Sequence, residues 1–217
     1  MTLRIVAISD THGLHDRLEV PDGDLLIHAG DLTRSGELSQ VPAFDAWIAG
    51  LPHPHKIVIA GNHDFCFERA PAEARRLLRR CTYLQDEAVT VAGLKLYGSP
   101  WQPWFYDFAF NLRRGEALRE KWARIPLDTD VLITHGPPQG HGGLTSGGVD
   151  AGCEELLAAV QRIRPRLHVF GHIHEGYGVT EEGRTRFVNA SVCNLGYEPL
   201  QAPVVIELVV SGERESP

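Results

Sequence analysis

Apolar residues fall into short runs along the chain, and most of these runs close on a polar cluster. LRIVAIS (3–9), DLLIHAG (24–30) and KIVIAG (56–61) have strand length and aliphatic composition. They pass into SDTHG, GDLT and GNHD. FDAWIAGL reads as a helix between the second and third strands. PAEARRLLRR (71–80) reads as a stronger helix, with proline at its start and arginines in its last turn. AVTVAGLKLYGS (88–99) alternates and turns at Ala92-Gly93, which predicts a hairpin. RRGEALREKWARI (113–125) and CEELLAAVQRI (153–163) are helical, DVLITHG (130–136) and LHVFGH (167–172) are strands. YGVTEEGRTRFVNAS (177–191) predicts a hairpin turning at Glu182-Gly183, APVVIELVV (202–210) a last strand, and 211–217 a frayed tail.

Strands and helices alternate early, and hairpins are added later. That order predicts a mixed α/β fold, with a mixed sheet or two packed sheets flanked by helices. A length of 217 residues without repeat or linker predicts one domain over 1–217. The glycine-rich stretch 136–152 joins two core elements and reads as a site loop.

Composition narrows the function. Apolar content of 43% and charged content of 23% suit a globular protein, and the net charge of −7 argues against stable nucleic-acid binding. The start, MTLRIVAISD, enters a strand at once, leaving no room for a signal peptide, and no apolar run approaches the ~18 residues of a membrane helix. The expectation is a cytoplasmic protein. Cys66, Cys81, Cys153 and Cys193 form no CxxC pair and read as reduced core thiols.

The candidate chemistry sits at the strand ends, where α/β sheets place ligands. Five predicted strands end in Asp, Asn or His: Asp10 and His12, Asp31, Asn62 and His63, His135, then His172 and His174. Any one of them alone reads as a cap or turn residue. Together they form a set of nitrogen and oxygen donors too large for one tetrahedral zinc but suited to two metals sharing a carboxylate. In an extended segment, i and i+2 share a face, so Asp10 with His12, and His172 with His174, can each serve one cavity.

The blocks SDTHG, GDLT, GNHD, THGPP and GHIHE, in that order, resemble the calcineurin-like metallophosphoesterase superfamily. SDTHGLH, GSPWQPWFYDFAFN, THGPPQGH and RPRLHVFGHIHEGYG further resemble its metallophosphoesterase-domain branch, related to class III cyclic-nucleotide phosphodiesterases. The resemblance implies a four-layer αββα sandwich of two mixed sheets. It implies that Asp10, His12, Asp31 and His174 hold one divalent metal, and that Asp31, Asn62, His135 and His172 hold the other. It makes His63 the catalytic histidine, oriented by Asp64, and implies attack by a metal-activated hydroxide on a small phosphodiester such as a cyclic nucleotide. Manganese, iron, zinc, cobalt and nickel all fit such donors, with manganese the ion to supply in an assay. The rival readings are a phosphomonoesterase or nuclease on the same site, and a metal-binding scaffold of low activity. Oligomeric state is left open.

Other residues are weighed singly. His28 and His168 read as core histidines, His53 and His55 as loop residues, and His15 as a surface residue. His141, in the flexible loop after His135, is a candidate substrate contact beside Asn62 and His63. Arg34 could meet phosphate. Trp101, Trp104, Phe105 and Tyr106 read as a small satellite core under a long loop, with a stacking platform for a nucleobase as the alternative.

Overall fold

The computed structural model describes residues 1–210, so the expected frayed tail, 211–217, lies outside the described residues. In chain order the elements are β1 (Thr2–Ile8), β2 (Leu25–His28), α1 (Val41–Ala49), β3 (His55–Val58), α2 (Phe65–Arg69), α3 (Pro71–Leu77), β4 (Thr82–Tyr83), β5 (Glu87–Val91) and β6 (Leu94–Ser99). There follow β7 (Gln102–Pro103), β8 (Asn111–Leu112), α4 (Glu116–Ala123), β9 (Val131–Thr134), α5 (Glu154–Ile163), β10 (Leu167–Phe170), β11 (Gly178–Glu182), β12 (Thr185–Asn189) and β13 (Val204–Val209).

Two mixed sheets form. One has the order β13-β1-β2-β3-β4 and the other β11-β12-β10-β9-β6-β5. The central strands of each run parallel, β1 to β3 in the first and β6, β9, β10 and β12 in the second. Antiparallel strands lie at three of the four edges, and β4 pairs parallel with β3 at the fourth. Burial on both faces explains why the central strands read as continuous apolar runs. Ile5 and Ala7 point into a core between the sheets, shared with Ile27, Leu96, Ile133 and Val169. Val6 and Ile8 point the other way, onto Phe44 of α1 and Phe67 of α2. On the far side of the second sheet, Leu132 and Phe170 meet Trp122 of α4 and Leu156 of α5. The layers are therefore helix, sheet, sheet, helix, which is the αββα sandwich the resemblance implies.

The predicted hairpin at Ala92-Gly93 forms, with both residues at positive φ (48° and 84°). The second hairpin turns at Gly183-Arg184, one residue later than predicted. His15 is buried rather than at the surface, with its ring 5.0 Å from Trp47 and 5.5 Å from Phe44. The parallel strands direct the ends of β1, β2 and β3 toward the same region as the ends of β9 and β10. A bridge from Ser9 to Ser191 and a hydrogen bond from Gly171 N to His135 O tie these ends together.

Candidate metal centre

The polar blocks do not continue their strands. Asp10, His12, Asp31 and His172 adopt left-handed backbone, with φ of 58°, 45°, 57° and 71°. Each such non-glycine residue costs about 1 kcal/mol or more, and such strain persists where surrounding bonds over-determine it. Those bonds are present. Asp10 N donates to Gly30 O at 2.9 Å, and His12 N donates to Asp31 O at 2.9 Å. His63 N donates to Asp31 Oδ1 at 2.8 Å, and His172 N donates to Asp10 Oδ2 at 3.0 Å. Convergence thus comes from left-handed kinks, not from the i, i+2 alternation of an extended segment, which the sequence alone suggested. At Gly171 a Cβ would run into the Asp10 carboxylate and the Ser9 hydroxyl, so only glycine lets these two strand ends approach.

The side chains meet in two groups. In the first, His12 Nε2 lies 3.3 Å from His174 Nε2, which lies 3.6 Å from Asp10 Oδ1. In the second, Asn62 Oδ1 lies 2.7 Å from His135 Nε2 and 2.8 Å from His172 Nδ1. Asp31 Oδ2 stands between them, 3.8 Å from His12 Nε2 and 3.5 Å from His135 Nε2. His63 borders the first group, its ring 4.7 Å from that of His12.

Backbone carbonyls fix several imidazoles from behind. His135 Nδ1 faces Ala29 O at 3.0 Å, His174 Nδ1 faces Asn194 O at 3.0 Å, and His63 Nδ1 faces Arg34 O at 3.1 Å. A carbonyl accepts only, so each Nδ1 carries a hydrogen and each Nε2 is turned to the site, where the neutral ring offers its lone pair. The Ser191 hydroxyl donates to Asp10 Oδ2 at 2.7 Å and steadies that carboxylate.

The electrostatics are those of a cation site. Burial pushes Asp31 well above the carboxylate range against the pull of His63, and the charges of Asp10 and Asp64 add to the rise. Burial also pushes His12 and His172 down to about 3, which leaves both as neutral donors at neutral pH. Among the described residues, only imidazoles form ion pairs with Asp10 and Asp31. Two buried carboxylates without Lys or Arg, ringed by lone pairs, fit divalent ions. Asp10-His12-His174, His12-Asp31-His63 and Asp10-Asp31-His135 each bring donor atoms within 4.8 Å of one another.

A pH dependence follows. His174 is raised to about 9: burial opposes the shift, and the adjacent Asp10 overrides it. A value raised above the ordinary ~6.5 stabilises the metal-free fold fully below that pH, and this contribution is lost as pH rises through about 9. A metal must displace the same proton, so metal affinity rises with pH up to about 9 and then levels off. Titrating chelator-stripped protein with Mn²⁺ across this range checks it. A flat affinity would remove His174 from the ligands.

Two sequence expectations need correction. Asp64 does not touch the His63 ring. Its carboxylate accepts from Leu32 N, Thr33 N, Thr33 Oγ1 and Gly61 N, at 3.2, 2.9, 2.7 and 2.8 Å. It therefore pins the GDLT block to the GNHD block, because it is fully buried and must collect the donors around it. Asp64→Asn turns N–H groups toward those donors and costs about 2–3 kcal/mol in urea unfolding, while kcat falls less than about tenfold. A kcat loss of His63→Ala size would restore the orienting role. His141 is also elsewhere: its ring stacks on Phe187 at 3.7 Å, and its nitrogens face Thr180 Oγ1 and Glu182 Oε2, each at 3.0 Å. It is not among the residues lining the cavity over the cluster.

That cavity, of about 390 Å³, includes Tyr197, which the sequence reading passed over. Tyr197 packs edge-on to the rings of His12 and His174, at 4.8 and 5.5 Å. Asn194, which reads from the sequence as a turn residue, holds His174 through its carbonyl. Both follow the last predicted hairpin in a segment without periodicity, in a turn closed by hydrogen bonds to Asn194 and with Tyr197 at a positive φ of 57°.

A family model described as calcineurin-like phosphoesterase matches residues 3–176. The chain belongs to that family. It is 49% identical to human metallophosphoesterase domain-containing protein 1 over 230 residues, spanning 94% of this chain and 71% of the relative, and the mouse protein matches equally. Among solved structures, the phosphopantetheinyl hydrolase of Mycobacterium tuberculosis superposes with a TM-score of 0.61 at 14% identity, over 92% of this chain and 95% of that one. TT1561 of Thermus thermophilus gives 0.59 at 16%, over 87% and 89%. These two share the fold. The chain is thus a member of the metallophosphoesterase superfamily, and its Asp/His clusters can hold metal. No helix among the described residues is long and apolar enough to cross a membrane.

Proposed function

We propose that this chain is a dinuclear-metal-dependent phosphodiesterase acting on small phosphodiesters, with cyclic nucleotides as the reference substrates. The observation that carries the reading is Asp31, one buried carboxylate shared between two groups of donors. Asp10, His12, Asp31 and His174 would hold one ion, and Asp31, Asn62, His135 and His172 would hold the other. Two bound divalent ions would neutralise phosphoryl charge and lower the pKa of a water in the site. The chain's own groups do the rest. Nδ1 of His63 donates to Arg34 O, so Nε2 faces the cavity; in the imidazolium form Nε2–H is the acid that protonates the leaving oxygen and leaves the ring neutral. Asn62 orients the substrate through its amide. A cavity of about 390 Å³ suits a small ester.

The test sets bis(4-nitrophenyl) phosphate beside 4-nitrophenyl phosphate, in added Mn²⁺ and then in chelator. The expected result is chelator-sensitive diester cleavage that His172→Ala weakens. Cleavage of the monoester alone would overturn the diester preference and keep the site. Cleavage of neither, with metal shown to be bound, would favour a scaffold.

A further inference from the structure

The cavity over the cluster has an unusual rim. Trp104 and Phe105 are 60% and 53% exposed, and Leu195 and Tyr197 are 58% and 47% exposed. All four line the cavity. Large apolar side chains left in water at one mouth need an explanation that scattered surface residues do not.

Neither wall is a loose loop. Asn111 Nδ2 donates to Phe105 O and Tyr106 O, at 3.2 and 2.8 Å, and Phe105 N donates to Asn111 Oδ1 at 3.4 Å. Phe105 lies parallel to Phe108 (8°, 6.2 Å), and Phe108 packs 5.0 Å from the His63 ring. A stair of flat faces thus climbs from His63 to the rim. In the segment that carries Leu195 and Tyr197, Asn194 Oδ1 accepts from Gly196 N and Glu198 N, at 2.8 and 3.0 Å, while Tyr197 N donates to Asn194 O at 3.0 Å. The same Asn194 carbonyl faces His174, so this wall is tied to the metal cluster. The satellite-core reading of the aromatics fails here: Trp101 is partly buried against the packed layers, but Trp104, Phe105 and Tyr106 project from them.

We infer that Trp104 and Phe105, together with Leu195 and Tyr197 of the same cavity lining, form a clamp for a planar aromatic ring carried by the phosphoester, and that this clamp sets specificity. The inference rests on the phosphoesterase reading for the position of the phosphate. Flat apolar walls gain most from a flat ring, which covers them without ordering a flexible chain. The opening above the donors lets a ring reach the clamp while its phosphate meets the Asp/His groups.

The test measures binding, not turnover. Phenyl phosphate and methyl phosphate carry the same charge and differ only in the group offered to the clamp. In Mn²⁺-loaded protein, calorimetry should give phenyl phosphate a Kd at least about tenfold lower. In Trp104→Ala/Phe105→Ala the ratio falls toward one, and Leu195→Ser lowers it from the other wall. Leu127→Ala, exposed and outside the cavity lining, leaves it unchanged. These positions are exposed, and circular dichroism confirms that each variant is folded. A wild-type ratio near one, or a ratio that survives both wall variants, overturns the clamp while ester hydrolysis can still stand. A clamp ratio in a protein that hydrolyses no ester supports the clamp and removes the hydrolase reading. Binding of neither phosphate overturns both. Adenosine monophosphate against ribose 5-phosphate then tells a nucleobase from a smaller aryl ring: a preference for the former supports a nucleobase clamp, and its absence beside a phenyl preference supports an aryl one.

Discussion

Alanine in place of His63 lowers kcat by roughly 10²- to 10⁴-fold, the range of one general acid or base, and leaves metal content unchanged. The imidazole is half-buried, wedged between the His12 ring at 4.7 Å and the Phe108 ring at 5.0 Å. Arg34 O holds Nδ1, so the ring has one orientation and one free nitrogen. The backbone N–H that donates to Asp31 Oδ1 survives the substitution, so the shared carboxylate keeps its position. An alternative grouping puts His63 with His12 and Asp31 as a ligand. Steady-state kinetics with bis(4-nitrophenyl) phosphate, run beside elemental analysis of the same sample, separates the two. Loss of metal in step with activity would make His63 a ligand.

Alanine in place of Gly61 damages the fold and the site together. The added Cβ would press on Asp31 Oδ1 and lie 2.5 Å from the Asp31 backbone nitrogen and 2.6 Å from His135 Cε1. The nitrogen belongs to a chain held on both sides and cannot swing away as a side chain could. Gly61 N also donates to Asp64 Oδ2, so displacing this residue strains the Asp64 clamp. Overpacking of this kind costs about 3 kcal/mol. For a chain of this size that lowers the Tm by about 6–12 °C. Because the collision is with a carboxylate shared by both donor groups, Mn²⁺ affinity falls as well. Calorimetric melting and a metal titration check both effects. An unchanged metal affinity beside a lowered Tm would show that Asp31 is not shared.

The strands were legible because their physics is local. Runs such as IVAI (5–8) are buried on both faces, so every position is apolar and no tertiary information is needed to see them. Element ends were less legible. The predicted helix 71–80 stops at Leu77, because the backbone N–H groups of Arg79 and Arg80 donate to Asp45 Oδ1, at 2.6 and 2.8 Å. That carboxylate sits on α1, more than thirty residues away. The helix predicted from 113 starts at Glu116, because Gly115 takes a positive φ of 93° and donates to Glu155.

The same division holds at the site. By itself the sequence determined which residue types gather: Asp10, His12, Asp31, Asn62, His63, His135, His172 and His174 all follow strand ends, and parallel strands carry their ends to one edge. Only the tertiary structure decided how they face one another. Left-handed kinks, set by hydrogen bonds between blocks that are distant in sequence, aim Asp10, His12, Asp31 and His172. Adjacency misled in two places. Asp64 follows His63 directly, yet its carboxylate turns to buried N–H groups, since an unpaired charge there would cost more than a lost contact with His63. His141 lies six residues from His135, yet it packs on Phe187 of another strand. Where Trp104 and Phe105 project was likewise beyond the sequence, because exposure belongs to the assembled surface and composition does not record it.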